Sequence, residues 1–265
     1  VTATATDPYR LKSRIAAREP VYGLMAGDLA APALIQLAAA VGLDFLVFDA
    51  EHSAFSEERL AGLLELCVLR GIAPLVRVQP EEALVQKAIH LGAAGVMLPG
   101  VRDAGTAADL IAAAYLPPTG HRGFSRHSAP ARLGGTPGQS RSHQVAWQNS
   151  WVVVVLQIET AELAADLAAV AALPGADVLL LGATDLSVSL GLADAPSTDP
   201  RISSALRFAG SPAKGAVITT AAPAAFWQEF DASFFLLGHD TDVFEQGLRS
   251  TLAQISIPSA SATPV

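Results

Sequence analysis

The chain is 265 residues long and 51% hydrophobic, enough to bury a large core and too apolar for general disorder. Its formal net charge is −8, with 17 Lys and Arg spread along the chain, which excludes the basic patch that nucleic acid or an anionic membrane surface needs. The single cysteine, Cys67, has no partner for an internal disulfide and lies in the apolar run 63–69, so it reads as a buried thiol of a protein from the reducing cytoplasm.

Residues 1–18 open with VTATATDPYR, which lacks the charged-then-apolar layout of a secretory signal and reads as a flexible arm with a short helix. From residue 19, short β-rich runs alternate with longer helical patterns. Strands are predicted at 21–26, 45–49, 74–78, 95–98, 152–158, 178–181, 216–219 and 234–237. Apolar periodicity of the helical kind covers 32–41, 56–70, 81–91, 161–173 and 242–255. The most apolar window, 29–48, is interrupted by Gln36, Gly42 and Asp44, so no membrane span is predicted. Residues 257–265 are Pro, Ser, Ala and Thr with little else and read as a disordered tail.

These βα units over residues 19–256 predict a single α/β domain, a closed (β/α)8 TIM barrel. The rival, an open doubly wound sheet, expects a glycine-rich first turn, whereas the first strand here runs into GDLAAP. Segment 117–150, rich in Gly, Pro, Ser, Arg and His, interrupts the alternation and reads as a long loop. Its GGTPG at 134–138 is the nearest approach to a phosphate loop, without a strand before it or a helix after it.

In such a barrel the active site forms at the C-terminal strand ends, so the polar residues there carry the chemistry. The second strand ends in Asp49-Ala50-Glu51-His52, the third in Arg77, the fifth in Gln157-Ile158-Glu159-Thr160, and the sixth runs into Gly182-Ala183-Thr184-Asp185. Glu159 and Asp185, from adjacent strands, can share one divalent cation and leave about four of six octahedral positions for water and a chelating substrate. With no Cys/His cluster beside them, Mg²⁺ or Mn²⁺, or alternatively Co²⁺, is favoured over structural zinc. The competing reading makes Glu159 a carboxylate at a helix N-terminus and Asp185 a helix cap. His52 follows Asp49 by three residues, a spacing that lets a carboxylate fix the tautomer of a general base. Arg77 suits a carboxylate or a developing enolate oxygen, or serves as an ordinary ion-pair partner. Lys12, Lys87 and Lys214 lie in the arm, in a helix and before the seventh strand, which leaves no lysine placed for Schiff-base chemistry.

Taken in order, GLMAG, GLDFLVFDAEHS, APLVRV, LGAAGVMLPGV, YLPPTGHRG, VLQIET, GATDLSVSLG and LLGHDTDVF resemble the HpcH/HpaI aldolase/citrate lyase family, in its metal-dependent pyruvate-aldolase branch, over residues 21–248. The resemblance implies a (β/α)8 barrel, a divalent metal, a 2-oxo acid and an aldehyde as substrates, and a homohexamer with a swapped C-terminal helix. It also implies roles. Glu159 and Asp185 resemble the metal ligands, His52 with Asp49 the base dyad, and Arg77 the residue that holds the pyruvate carbonyl oxygen and its enolate. Gln157 resembles a substrate contact, and the backbone around Gly182, Thr184 and Asp185 the carboxylate-binding helix start. The chain departs from the pattern at His90, where the family commonly has Asp, and at Met25, where it often has Trp. It also has Ala50 within the D-G-E-H turn, and Ala183-Thr184 where the family has P-A. These departures bear on the acceptor more than on the reaction class. Condensation of an acyl thioester with a 2-oxo acid, and a metal-binding scaffold without turnover, stand as alternatives.

Overall fold

The computed structural model describes residues 8–130 and 139–255. Eight strands close into one barrel in sequence order, β1 to β8, every neighbouring pair parallel. The strands are β1 (Val21–Ala26), β2 (Phe45–Asp49), β3 (Ala73–Arg77), β4 (Gly95–Leu98), β5 (Val153–Ile158), β6 (Val178–Leu181), β7 (Ala213–Val217) and β8 (Ala232–His239). The predicted (β/α)8 barrel is the fold. Most strand positions are buried on both faces, which is why the strands read as continuous Val, Leu and Phe runs.

The helices are α1 (Leu11–Ala16), α2 (Pro32–Val41), α3 (Glu57–Leu69), α4 (Glu82–Leu91), α5 (Ala104–Ala114), α6 (Arg141–Trp151), α7 (Ala161–Ala165), α8 (Leu167–Ala171), α9 (Ala183–Ser189), α10 (Pro200–Ser203), α11 (Ala224–Gln228) and α12 (Asp240–Ile255). Side-chain caps mark several starts: Ser56 accepts from Arg59 N–H, Asp103 from Thr106 N–H and Thr160 from Leu163 N–H. The helix predicted over 161–173 is broken in two at Asp166, whose carboxylate accepts the N–H of Ala104 instead of continuing the helix outward into solvent. Within 117–150, the stretch read as loop ends in a helix, α6, capped by Ser140. The GGTPG stretch and the C-terminal tail lie outside the described residues.

The barrel interior is packed by close approach. The Phe45 and Phe234 rings stack at 4.3 Å, and a Cβ on Gly23 would stand 2.2 Å from the Phe45 ring, so β1 must carry glycine there. The N-terminal end of the barrel is closed by α1. Its Lys12 ammonium donates to Asp177 Oδ1 and Oδ2 at 2.7 and 2.8 Å and to the Val152 carbonyl at 2.8 Å. Lys12 is thereby committed to a structural ion pair at the end opposite the strand C-termini. Lys214 is the second residue of β7, at the same end, and Lys87 pairs with Glu57 on the helical surface. Cys67 is fully buried, and burial pushes its thiol well above the ordinary range. No described helix is long and apolar enough to cross a membrane.

Candidate active site

The C-terminal strand ends surround a cavity of about 600 Å³, lined by Met25 of β1, Arg77 of β3, Gln157 of β5, the Gly182–Asp185 turn, and residues at the ends of β7 and β8. Strands β2 and β3 run in register so that Asp49 and Arg77 are Cα partners at the last step of their ladder. The side chains meet in a two-point pair: Arg77 Nε donates to Asp49 Oδ1 at 2.8 Å and Nη2 to Oδ2 at 2.7 Å. Arg77 Nε also lies 3.5 Å from Glu51 Oε2. Among the described residues no acceptor engages Nη1.

Burial works against the Asp49 charge, but the hydrogen bonds and charge of Arg77 overcome it and hold the carboxyl below its usual range. Burial equally opposes the Arg77 charge, and Asp49, then Glu51 and Glu159, more than offset it. Asp49 Oδ1 further accepts the backbone N–H groups of Glu51 and His52 at 3.2 and 3.3 Å. The pairing predicted between Asp49 and the His52 ring takes another form. Both Asp49 oxygens are engaged by Arg77, so the imidazole, 67% exposed, stands beside Glu51, with Nε2 3.6 Å from Glu51 Oε2.

Glu159 follows β5 and is buried, with Oε1 accepting the Gly100 N–H. Burial first, then repulsion from Asp185 and Glu51, pushes its carboxyl up to about 7 against the opposing pull of the Gly100 N–H and Arg77. A Cβ on Gly182 would stand 2.9 Å from Glu159 Cβ and 3.2 Å from its Oε2, so glycine at the end of β6 makes room for this carboxylate. Of the competing reading, the structure lacks the side-chain cap by Asp185 but keeps both carboxylates beside helix starts. Thr160, the residue after Glu159, caps α7, and α9 has Gly182 at its N-cap position without any side-chain cap, Asp185 lying inside its first turn. Both carboxylates thus lie at helix N-termini, where the macrodipole favours their charge, while neither supplies the side-chain cap.

Gln157 is 5% exposed, and its Oε1 is buried without a hydrogen-bond partner among the described residues. An orphaned acceptor lining a cavity calls for a donor or a cation from outside the chain. Among the described residues no three His, Cys, Asp or Glu side chains form a ready metal cage. The donors at the mouth are two mutually repelling carboxylates and an amide oxygen, all hard, a set suited to a divalent cation that keeps positions open for water and substrate.

Sequence reasoning missed three contributors. Glu51 is the carboxylate beside His52, visible in the sequence but assigned no role. Asp240, 3% exposed, accepts the N–H groups of Gly27 and Leu29 at 2.8 and 3.0 Å and ties the β1 loop to the end of β8. His239, one residue earlier, lines the cavity and is the register partner of Met25. The only signal for either was a polar pair ending an apolar strand.

Residues 25–243 match the family model described as HpcH/HpaI aldolase/citrate lyase. The chain belongs to this family. It is similar to a hydroxypyruvate/pyruvate aldolase of Pseudomonas aeruginosa, 30% identical over 266 residues that cover 96% of this chain and 97% of the relative. Among solved structures it resembles an HpcH/HpaI aldolase from Desulfitobacterium hafniense, with a TM-score of 0.83 and 25% identity over 96% of this chain and 99% of the other. It also resembles the citrate synthase SbnG, with a TM-score of 0.80 and 27% identity over 92% and 96% of the two chains. As a member of the HpcH/HpaI family with aldolase relatives over nearly its full length, the protein is a carbon–carbon lyase.

Proposed function

We propose that this mouth forms the enolate of a 2-oxo acid, pyruvate or a close analogue, and joins it to, or releases it from, an aldehyde. The observation that carries the reading is Arg77: clamped by Asp49, it keeps Nη1 free at the cavity that Asp185 also lines, with Glu159 close enough to act on its charge. Glu159 and Asp185 would hold Mg²⁺, Mn²⁺ or Co²⁺, which supplies Lewis-acid charge to the 2-oxo acid. Arg77 Nη1 donates to the carbonyl oxygen as negative charge develops there. Backbone N–H groups around Gly182, Thr184 and Asp185 orient the substrate carboxylate, and Gln157 contacts the same ligand.

His52, held beside Glu51, takes the C3 proton directly or through a water. The enolate carbon then bonds to the aldehyde carbon, whose oxygen receives a proton; cleavage runs the same steps backward. The likeness to a citrate synthase supports a second reading, in which the electrophile is a 2-oxo acid and the nucleophile an acyl-thioester enolate. That reading requires acyl-CoA dependence.

The proposal extends to assembly and location. Helix α12 exposes Val243, Phe244, Leu248, Leu252 and Ile255, an apolar face that a second copy would cover, as in the hexamer with a swapped helix that the family resemblance implies. A reducing cytoplasm suits the buried Cys67 thiol. The reaction is tested by following the pyruvate methyl NMR signal in D₂O with protein and Mn²⁺, Mg²⁺ or Co²⁺. Decay faster than a metal-only control is expected, and decay equal to that control for every metal would overturn the pyruvate reading in favour of the thioester one.

A further inference from the structure

The acceptor side of the cavity is built differently from the enolate side. On β8, His239 is the Cα partner of Met25 on β1, and the two flank the same cavity as Arg77 and Asp185. Beside them stand Thr219 and Thr220, just past β7, and Asp242 in the first turn of α12. Asp240, next to His239, is fixed by the N–H groups of Gly27 and Leu29, so the backbone carrying His239 is pinned to the β1 loop. The His239 ring is half-buried and makes no hydrogen bond among the described residues. A neutral imidazole offers one donor and one acceptor, which matches a hydroxyl group.

Charge decides which polar group this wall accepts. Arg77 is the only Lys or Arg among the described residues lining the cavity; Asp49 holds its Nε and Nη2, and its Nη1, like the cation that Glu159 and Asp185 would hold, serves the 2-oxo acid. Asp242 stands on the His239 side, so an acceptor bearing a carboxylate or phosphate would meet like charge there with no cation left to offset it. Thr219 Oγ1 accepts the Ala222 N–H at 3.0 Å, which fixes the oxygen and leaves its O–H free to donate.

We propose that His239 is a specificity-determining residue that binds a hydroxyl of the electrophile, and that the acceptor class is a short, uncharged hydroxyaldehyde. This rests on the aldolase reading above and narrows it. A wall that hydrogen-bonds a substrate hydroxyl rejects the analogue lacking it, because its own polar groups are then left unpaired.

The test is a panel of aldehydes added to pyruvate by the metal-loaded protein: glycolaldehyde and glyceraldehyde, the unsubstituted propanal, and the charged glyoxylate and succinic semialdehyde. The wild-type kcat/KM is expected to be about tenfold or more higher for the hydroxyaldehydes than for either other group. In His239→Val the preference for glyceraldehyde over propanal should collapse to within about threefold, and His239→Gln, which keeps a donor and an acceptor, should restore part of it. Circular dichroism melts establish that both variants are folded. A wild-type preference for the charged aldehydes, or an undiminished hydroxyl preference in folded His239→Val, overturns this inference while leaving the aldolase reading in place. Absence of pyruvate C3 exchange in the wild type overturns both.

Discussion

Asp49 and Arg77 face each other across β2 and β3 at the last step of the ladder, and their two-point pair fixes the guanidinium with Nη1 free at the cavity. Both are buried, so neither partner is dispensable: removing one leaves the other charge uncompensated, at a cost of about 3–5 kcal/mol. Arg77→Ala should slow metal-dependent C3 exchange of pyruvate by about 10²–10³, the scale of losing an oxyanion donor. Asp49→Asn should lower both exchange and the midpoint of urea unfolding. Exchange by Arg77→Ala at the wild-type rate would show that another group stabilises the enolate.

The Glu159 carboxyl, pushed up to about 7 by burial and by Asp185 and Glu51, is strained in its ionised form until a cation arrives. Glu159→Gln keeps the size and removes one of the two carboxylate charges. Divalent affinity should fall at least about tenfold, or ~1.4 kcal/mol, in titration calorimetry with Mn²⁺. Unchanged affinity would remove Glu159 from the site.

Gly182 gives a second, independent probe of the same carboxylate. Its φ of −87° is open to any residue, so alanine there tests contact and not backbone strain. The new methyl would press on Glu159 at 2.9 Å from its Cβ. Gly182→Ala should therefore weaken Mn²⁺ binding while costing about 1–3 kcal/mol of stability, the usual scale of overpacking. Full affinity in a folded Gly182→Ala protein would mean that Glu159 has room to move without consequence.

What could be read in advance follows from how each feature is encoded. Strands such as Phe45–Asp49 and Val178–Leu181 are buried throughout, so their apolar runs mark their ends. β7 begins three residues before its predicted start because Ala213-Lys214-Gly215 carries no such run, Lys214 lying over the Phe208 ring at 5.3 Å. The strand-end residues Arg77, Gln157 and Asp185 were legible because the barrel dictates where strand ends converge, and the structure lines one cavity with them. The partner of His52 was not. Spacing shows that Asp49 is near, but only the side-chain geometry shows that Arg77 occupies both its oxygens. His239 showed only as part of a polar pair ending an apolar strand, since its meaning depends on the β1–β8 register that places it opposite Met25.

Helix α12 predicts the state of the protein in solution. Asp240 is its one buried residue, while Phe244, Leu248 and Leu252 are exposed at 58%, 50% and 59%. An amphipathic helix with its apolar face uncovered is stable when another surface covers it. Light scattering should give a multiple of 27.3 kDa, six copies on the family resemblance, and Leu248→Glu with Leu252→Glu should dissociate it. A wild-type monomer at micromolar concentration would rule this out.

His90 predicts a pH dependence of stability. It sits in the last turn of α4, half-buried, with Nε2 3.0 Å from the Gly123 carbonyl. Burial, aided by the charges of Arg122 and Lys87, lowers its pKa from 6.5, and the Gly123 carbonyl only partly opposes this. The unfolded chain then binds a proton below 6.5 that the folded protein resists, so stability is lost as pH falls below that value. Glu159 acts in the opposite direction, because ionising a carboxyl raised to about 7 costs stability that acidification returns. The decisive quantity is therefore the difference between the wild type and His90→Gln, with urea unfolding measured for the metal-free protein at about pH 7 and about pH 5. On acidification, the wild type should lose stability relative to the variant. Parallel curves for the two proteins would show that His90 takes up its proton as readily folded as unfolded.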